Sequence, residues 1–184
     1  IMIRNPLIIC ALVGLLAGCV STPKPLNIAK LEKELNTPPG VEVKANAVLY
    51  QASEFLKAAK TFKFQAKITR DVILFDEVRV HLGGVSNVTV QRPNKLRAIF
   101  EGDEKSRKSY FDGETLTLYS VTKKFYAQKN IPGTIDNAID FVFDKFGFTV
   151  PIADLAYADP YAILIENIDE GHFIGKHKVD GVVC

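Results

Sequence analysis

Cysteine is scarce in this chain. There are three in 184 residues, at positions 10, 19 and 184, and no Cys-x-x-Cys pair among them. Histidine is equally thin: His81, His172 and His177, each in a predicted strand. His172 and His177 are five apart, so a regular strand points them to opposite faces. With no His-x-x-x-His and no Glu-rich cluster, neither a zinc site nor any other cofactor is expected. No Gly-x-Ser-x-Gly is present, and no Gly-rich phosphate loop opens a helix, so no hydrolase elbow or nucleotide cradle is on offer. The acidic pairs Asp103-Glu104 and Asp169-Glu170 fall in turns and read as solvated loop charge rather than paired catalytic carboxylates. An enzyme is not expected. Charge of one sign is lacking too: the net is +2, which gives no electrostatic case for nucleic acid. Long apolar runs are also missing. Leu7 to Leu16 is roughly half of the ~20 residues that a membrane-spanning helix needs.

What is present near the start is a positive residue, Arg4, that short apolar core, and small residues before a break. These features make a secretory signal. The small residues end as Leu16-Ala17-Gly18-Cys19, which resembles the lipobox of bacterial lipoproteins. The resemblance implies diacylglycerol on the Cys19 thiol, cleavage before Cys19 and an acylated new N-terminus. Residues 1–18 are then the signal peptide. Val20 and Ser21 follow with no Asp to resemble an inner-membrane retention signal, so the expected home is the periplasmic face of the outer membrane of a Gram-negative envelope. Cys10 leaves with the signal and Cys19 is alkylated. Cys184 keeps no partner and reads as a small buried hydrophobe.

Residues 19–44 follow as the lipidated cysteine and a tether, with Pro23, Pro25, Pro38 and Pro39 breaking regular structure at its two ends. The middle has room for a short helix. One domain is expected over 45–184, long enough to bury a core without staples. Val182-Val183-Cys184 reads as a strand just begun, so this domain is expected to be truncated at its C-terminus.

Helical spacing from Ala45 to Lys60 gathers Val48, Ala52, Phe55, Leu56 and Ala59 on one face. The period then becomes two. Phe62, Phe64, Ala66 and Ile68 alternate with polar residues, and Val78, Val80 and Leu82 lead into Gly83-Gly84, which suggests a bulge or bend. Further strands run through Val88 and Val90, from Leu96 to Glu101, from Ser106 to Phe111, from Glu114 to Tyr119 and at Phe125-Tyr126-Ala127. Asp112-Gly113 is the strongest hairpin signal. This is an antiparallel meander with one apolar and one charged face. After Pro132-Gly133, Thr134 is a candidate N-cap and Gly147 a C-cap. Between them Ile135, Ile139, Val142, Phe143 and Phe146 form a stripe. Pro132-Gly133 before it and Gly147-Phe148 after it, with Pro151 beyond, would let the segment move as a lid. Asp159-Pro160 opens a last helix, and His172 to Val179 reads as strand.

Twelve Phe and six Tyr cluster on the strand faces and the 135–148 segment. Two readings stay open: a filled core, or the lining of a cavity for a hydrocarbon chain. The candidate lining residues are Phe55, Phe64, Phe100, Ile139, Phe143 and Phe146.

One resemblance is specific. Arg92-Pro93-Asn94-Lys95-Leu96-Arg97 and Tyr110-Phe111-Asp112-Gly113-Glu114-Thr115-Leu116-Thr117-Leu118-Tyr119 are similar to a family of predicted periplasmic proteins of unknown function. The likeness continues through Phe125-Tyr126-Ala127, Pro151 to Leu155, Asp159 to Ala162 and Val179 to Cys184. That family resembles in turn the lipoprotein-localisation factors, the LolA/LolB-like fold. The resemblance implies an α+β fold: a curved antiparallel sheet forming an incomplete, half β-barrel, with helices covering its concave face. It also implies that the hollow receives acyl chains. The expected function is a membrane-anchored envelope lipoprotein that binds an acyl chain, lipid or lipoprotein. The alternative is a structural or interaction lipoprotein with a filled core.

Overall fold

Alternation of apolar and polar residues from Phe62 onward builds an antiparallel sheet of six strands that pair in chain order. The computed structural model describes residues 27–75, 77–147, 152–166, 168–179 and 181–183. Two helices come first, α1 (Ile28–Glu34) and α2 (Val43–Ala58). The sheet follows as β1 (Thr61–Leu74), β2 (Val78–Gln91), β3 (Lys95–Gly102), β4 (Ser106–Phe111), β5 (Thr115–Ser120) and β6 (Phe125–Asn130). Then come α3 (Ile135–Phe146), a 3₁₀ turn (Ala153–Ala156), α4 (Pro160–Glu166) and a small hairpin of β7 (Lys178–Val179) and β8 (Val182–Val183). The class is α+β, and the sheet is open, with β1 and β6 as its edges.

β1 and β2 form a hairpin of fourteen paired positions, from Thr61 opposite Gln91 to Leu74 opposite Val78. Of the bulge or bend expected at Gly83-Gly84, the bulge is absent: Thr69 pairs with Gly83 and Ile68 with Gly84 without interruption. The glycines serve a neighbour instead. A Cβ on Gly84 would lie 2.5 Å from the Phe100 ring, and one on Gly102 would lie 2.7 Å from it. The two bare positions are therefore the seat of that ring.

Pairing divides the side chains between two faces. Phe64, Val88, Val90, Phe111 and Leu116 line the inner face and are buried. They meet Leu56 of α2, Ile135, Ala138 and Val142 of α3, Leu155 and Ala156 of the 3₁₀ turn, and Leu164 of α4. Each large apolar side chain so buried contributes about 1.5–3 kcal/mol relative to an exposed one.

The turn after β4 also departs from expectation. A two-residue Asp112-Gly113 loop would set Phe111 opposite Glu114, but Phe111 pairs with Leu116. The carboxylate of Asp112 accepts the N–H groups of Glu114 and Thr115 at 2.9 and 2.7 Å. The longer loop keeps Phe111 and Leu116 together on the apolar face, where a one-sided sheet demands them. Gly113 O accepts from Gly133 N, Glu114 O from Ile131 N, and Pro93 O from Ile135 N. The turns that carry the sequence motifs are thus tied to the start of α3.

Helix ends follow the sequence closely. Thr134 accepts from Asn137 N while the Asn137 side chain accepts from Thr134 N, a capping box. Gly147, at φ +63°, sends its N–H to Phe143 O. Asp159 accepts from Ala162 N in the first turn of α4. Helix faces follow only in part: Leu56 of α2 and Ile135 and Val142 of α3 are buried as expected. In α2 the buried residues are Asn46, Ala47, Ser53 and Leu56, while Val48 and Ala52 are exposed. Asn46 is fully buried because it donates to Thr37 Oγ1 at 3.0 Å and accepts from the Tyr161 hydroxyl at 2.8 Å. A polar group with partners can enter a core that an apolar stripe alone would not predict.

The described part of the expected tether holds α1, whose Leu31 is buried, and which packs on α2. The strand expected from His172 to Val179 shrinks to the two residues of β7. Glu42 explains part of this. Its carboxylate meets His172 Nδ1 at 3.1 Å and accepts from Phe173 N at 3.0 Å, so these residues are held by a side chain and not by a ladder.

Candidate functional site

Among the described residues, the helices and the 3₁₀ turn pack on one end of the inner face. Beyond Phe64 and Val88 the same face of the β1–β2 hairpin continues through Ala66, Ile68 and Val72 on one strand and Val80 and Leu82 on the other. All five are half-buried. Phe100, also half-buried, lies beside them over Gly84 and Gly102. The strip ends at an apolar tip: Leu74 and Val78 are exposed, and Phe75 is 92% exposed. Among the cations on this face are Arg70, which is paired with Glu104, and Arg107, opposite Phe100 in the register.

A crevice of about 150 Å³ opens where α3 passes β5 and β6. Leu116, Leu118, Ala127, Phe141 and Phe146 form its walls, with Gln128 and Lys129 also lining it. Phe141 and Phe146 meet edge to face at 6.0 Å. A larger cleft, about 310 Å³, lies on the opposite face of the sheet.

The six residues expected to line a hollow are not gathered around one. Phe64 is core, Ile139 packs against it, and Phe55 is half-buried on α2. Phe143 is 54% exposed. Its place among the buried residues is taken by Ala138, one position before Ile139. Phe146 is 57% exposed yet lines the crevice. Sequence reading missed Phe141, Leu118 and Ala127. Leu118 and Ala127 are cross-strand partners, and only the β5–β6 register brings them under α3. Cys19 and Leu16, Ala17 and Gly18 of the lipobox motif lie outside the described residues, as do Phe148, Pro151 and Cys184.

Polar groups pin this layer together. Arg92, at the end of β2, donates to Ala156 O at 2.8 Å and sits 5.4 Å from the Phe62 ring. Burial pushes its pKa down, and Asp136 opposes that shift. The Tyr157 hydroxyl donates to Asp140 at 2.7 Å, and both burial and that carboxylate push the phenol pKa up. Burial likewise raises Asp154. Asp136 accepts from Ala158 N, so α3 is fastened to the segment that follows it. Lys57 of α2 meets Asp159 at 2.6 Å, which joins α2 to α4. Among the described residues no group of three or more His, Cys, Asp or Glu converges as a metal site would require, and no helix is long and apolar enough to cross a membrane. The arrangement can hold an apolar guest against a sheet.

The family model described as "Predicted periplasmic protein (DUF2092)" matches residues 45–184. No curated protein and no solved structure matches the chain.

Proposed function

We propose that this chain, which belongs to the DUF2092 family of predicted periplasmic proteins, is a lipid-anchored envelope protein that holds an acyl chain along the uncovered part of its inner sheet face. It is a binding protein and not an enzyme. The observation that carries the reading is the half-covered face: Ile68, Val72, Val80, Leu82 and Phe100 remain partly open where helices protect the rest. From Ala66 to Leu74 the strip is about 26 Å long at the usual strand rise. That exceeds the ~15 Å depth of one leaflet's hydrocarbon. The likeness to the lipoprotein-localisation factors supports the same use, since their half-barrel receives acyl chains on its concave side. The anchor is Cys19. Each buried CH₂ contributes about 0.8 kcal/mol, so the two or more chains of a lipidated cysteine hold stably where one does not. The periplasmic face of the outer membrane is the proposed site of attachment, and a lipid or lipoprotein is the proposed partner.

Binding of a fluorescent fatty acid tests the inner face. The wild type should bind it, and Leu82→Gln should weaken binding while leaving the melting temperature nearly unchanged. No binding by the wild type overturns this use of the face. Cys19→Ser tests the anchor separately: it should accumulate as an uncleaved precursor, and normal processing with membrane retention would refute lipidation.

The size of the crevice favours a second reading. About 150 Å³ is below the ~300–1,000 Å³ of ordinary ligand pockets, and Ala47, Val90, Ile135 and Ala156 are at most 1% exposed. On this reading the core is filled, and the protein serves the envelope through its surfaces. Native mass spectrometry of protein purified from membranes separates the two: co-purified lipid supports the first, and bare protein the second.

A further inference from the structure

The outer face of the sheet carries no part of the acyl-chain reading, yet it is the more ordered in its chemistry. One cross-strand row runs Lys63, Thr89, Arg97, Tyr110, Thr117, Gln128 over all six strands. At the usual strand spacing it is about 24 Å long. The next row runs Gln65, Asn87, Ile99, Lys108, Tyr119, Tyr126. Hydrogen bonds across the strands fix the amides: Gln65 to Asn87 at 2.9 Å and Gln128 to Thr117 at 3.1 Å. The cleft of about 310 Å³ lies over the first row, between Thr89, Lys95, Arg97, Tyr110 and Thr117.

From this geometry we infer that the outer face binds an acidic glycan, a chain of sugars bearing carboxylate or phosphate groups. The charge is complementary. Lys63, Lys95, Arg97 and Lys108 stand on this face, against two carboxylates: Asp112, which lines the cleft beside Lys95, and Glu101. Asp112 already accepts two backbone N–H groups, and Glu101 stands one row beyond Lys108, opposite Val85. Arg97 offers a planar fork to an oxyanion. Hydroxyl and amide groups from Thr89, Gln91, Thr115 and Thr117 line the same cleft, and sugar hydroxyls are their natural partners. Tyr110, 39% exposed, and Tyr126, 66% exposed, supply rings for the sugar faces. Ile99 is the one aliphatic residue in these two rows, so little here would enter a bilayer.

The test is titration of the full chain, held in detergent-free nanodiscs of neutral phosphatidylcholine, with pentagalacturonate, maltopentaose, a short polyglutamate and anionic phosphatidylglycerol vesicles. Pentagalacturonate should bind at least ten-fold more tightly than the neutral sugar or the polyglutamate, and more weakly as salt rises, since exposed charges are screened within ~10 Å at 0.1 M. The double variant Lys95→Gln with Arg97→Gln should lose ten-fold or more and flatten the salt dependence. Tyr110→Ala should lose several-fold with the salt dependence kept. Equal binding of polyglutamate, or binding to the vesicles alone, overturns the inference, because charge without sugar then suffices. Unchanged affinity in Tyr110→Ala overturns it as well, even if the double variant does not fold.

Discussion

At Gly113 the backbone stands at φ +102°, and a Cβ there would lie 2.5 Å from the Asn94 amide nitrogen. Both facts penalise any side chain, and a β-branched one most. Gly113→Val should lower stability by about 1–3 kcal/mol, read as a fall in melting temperature. Asp159 makes a different prediction. Its hydrogen bond to Lys57 holds the carboxyl below its ordinary range. A depressed pKa stabilises the fold above the unfolded value and loses that effect as pH falls through the folded one. Stability from this pair should therefore be full at neutral pH and fade below about pH 4. Asp159→Asn should lower the melting temperature at pH 7, and that loss should shrink as pH falls below about 4. A loss that does not shrink would show that the carboxylate charge contributes nothing. The pairing joins residues 57 and 159, so neither partner was legible from the sequence around the other. The Asp112-Gly113 turn was legible, because its signal is local. Its length was not, because the burial of Phe111 and Leu116 sets the register.

At the scale of the element, α3 separates what is local from what is not. Thr134 and Gly147 cap it as their residue types require, since each satisfies backbone groups within one turn. Which side chains it buries depends on what it meets. Ile135 is 1% exposed and Phe143 is 54% exposed, so two substitutions should diverge. Ile135→Ala should cost about 2–5 kcal/mol. Phe143→Ala should stay within about 0.5 kcal/mol, as surface changes do. Chemical denaturation of both variants checks this, and a large loss for Phe143→Ala would mean that the side chain is covered. The lid-like behaviour expected of this segment meets real fasteners: Ile135 N to Pro93 O at 2.9 Å and Tyr157 to Asp140 at 2.7 Å. In α2 the apolar stripe pointed to Val48 and Ala52, and the fold buried Asn46 and Ser53 instead, the former through partners at positions 37 and 161.

At the scale of the molecule, an open sheet with helices on one end of one face leaves, among the described residues, two uncovered surfaces of different chemistry. If they act independently, Leu82→Gln should weaken fatty-acid binding and leave pentagalacturonate binding unchanged, and Arg97→Gln should do the reverse. One titration series on each variant checks this, and a variant that loses both would tie the two faces together. The sequence by itself determined the alternation of the strands, the meander and the caps of α3. Each of these is set by neighbours in the chain: backbone sterics, side-chain period and hydrogen bonds within a turn. Only the tertiary structure decided that Phe100 sits over two glycines, that Phe141 and not Phe143 faces the crevice, and that Lys63, Arg97 and Tyr110 stand in one row. Those outcomes depend on strand register and on which helix face meets the sheet. Both are fixed by burial summed over residues far apart in the chain, a quantity that no short stretch of sequence contains.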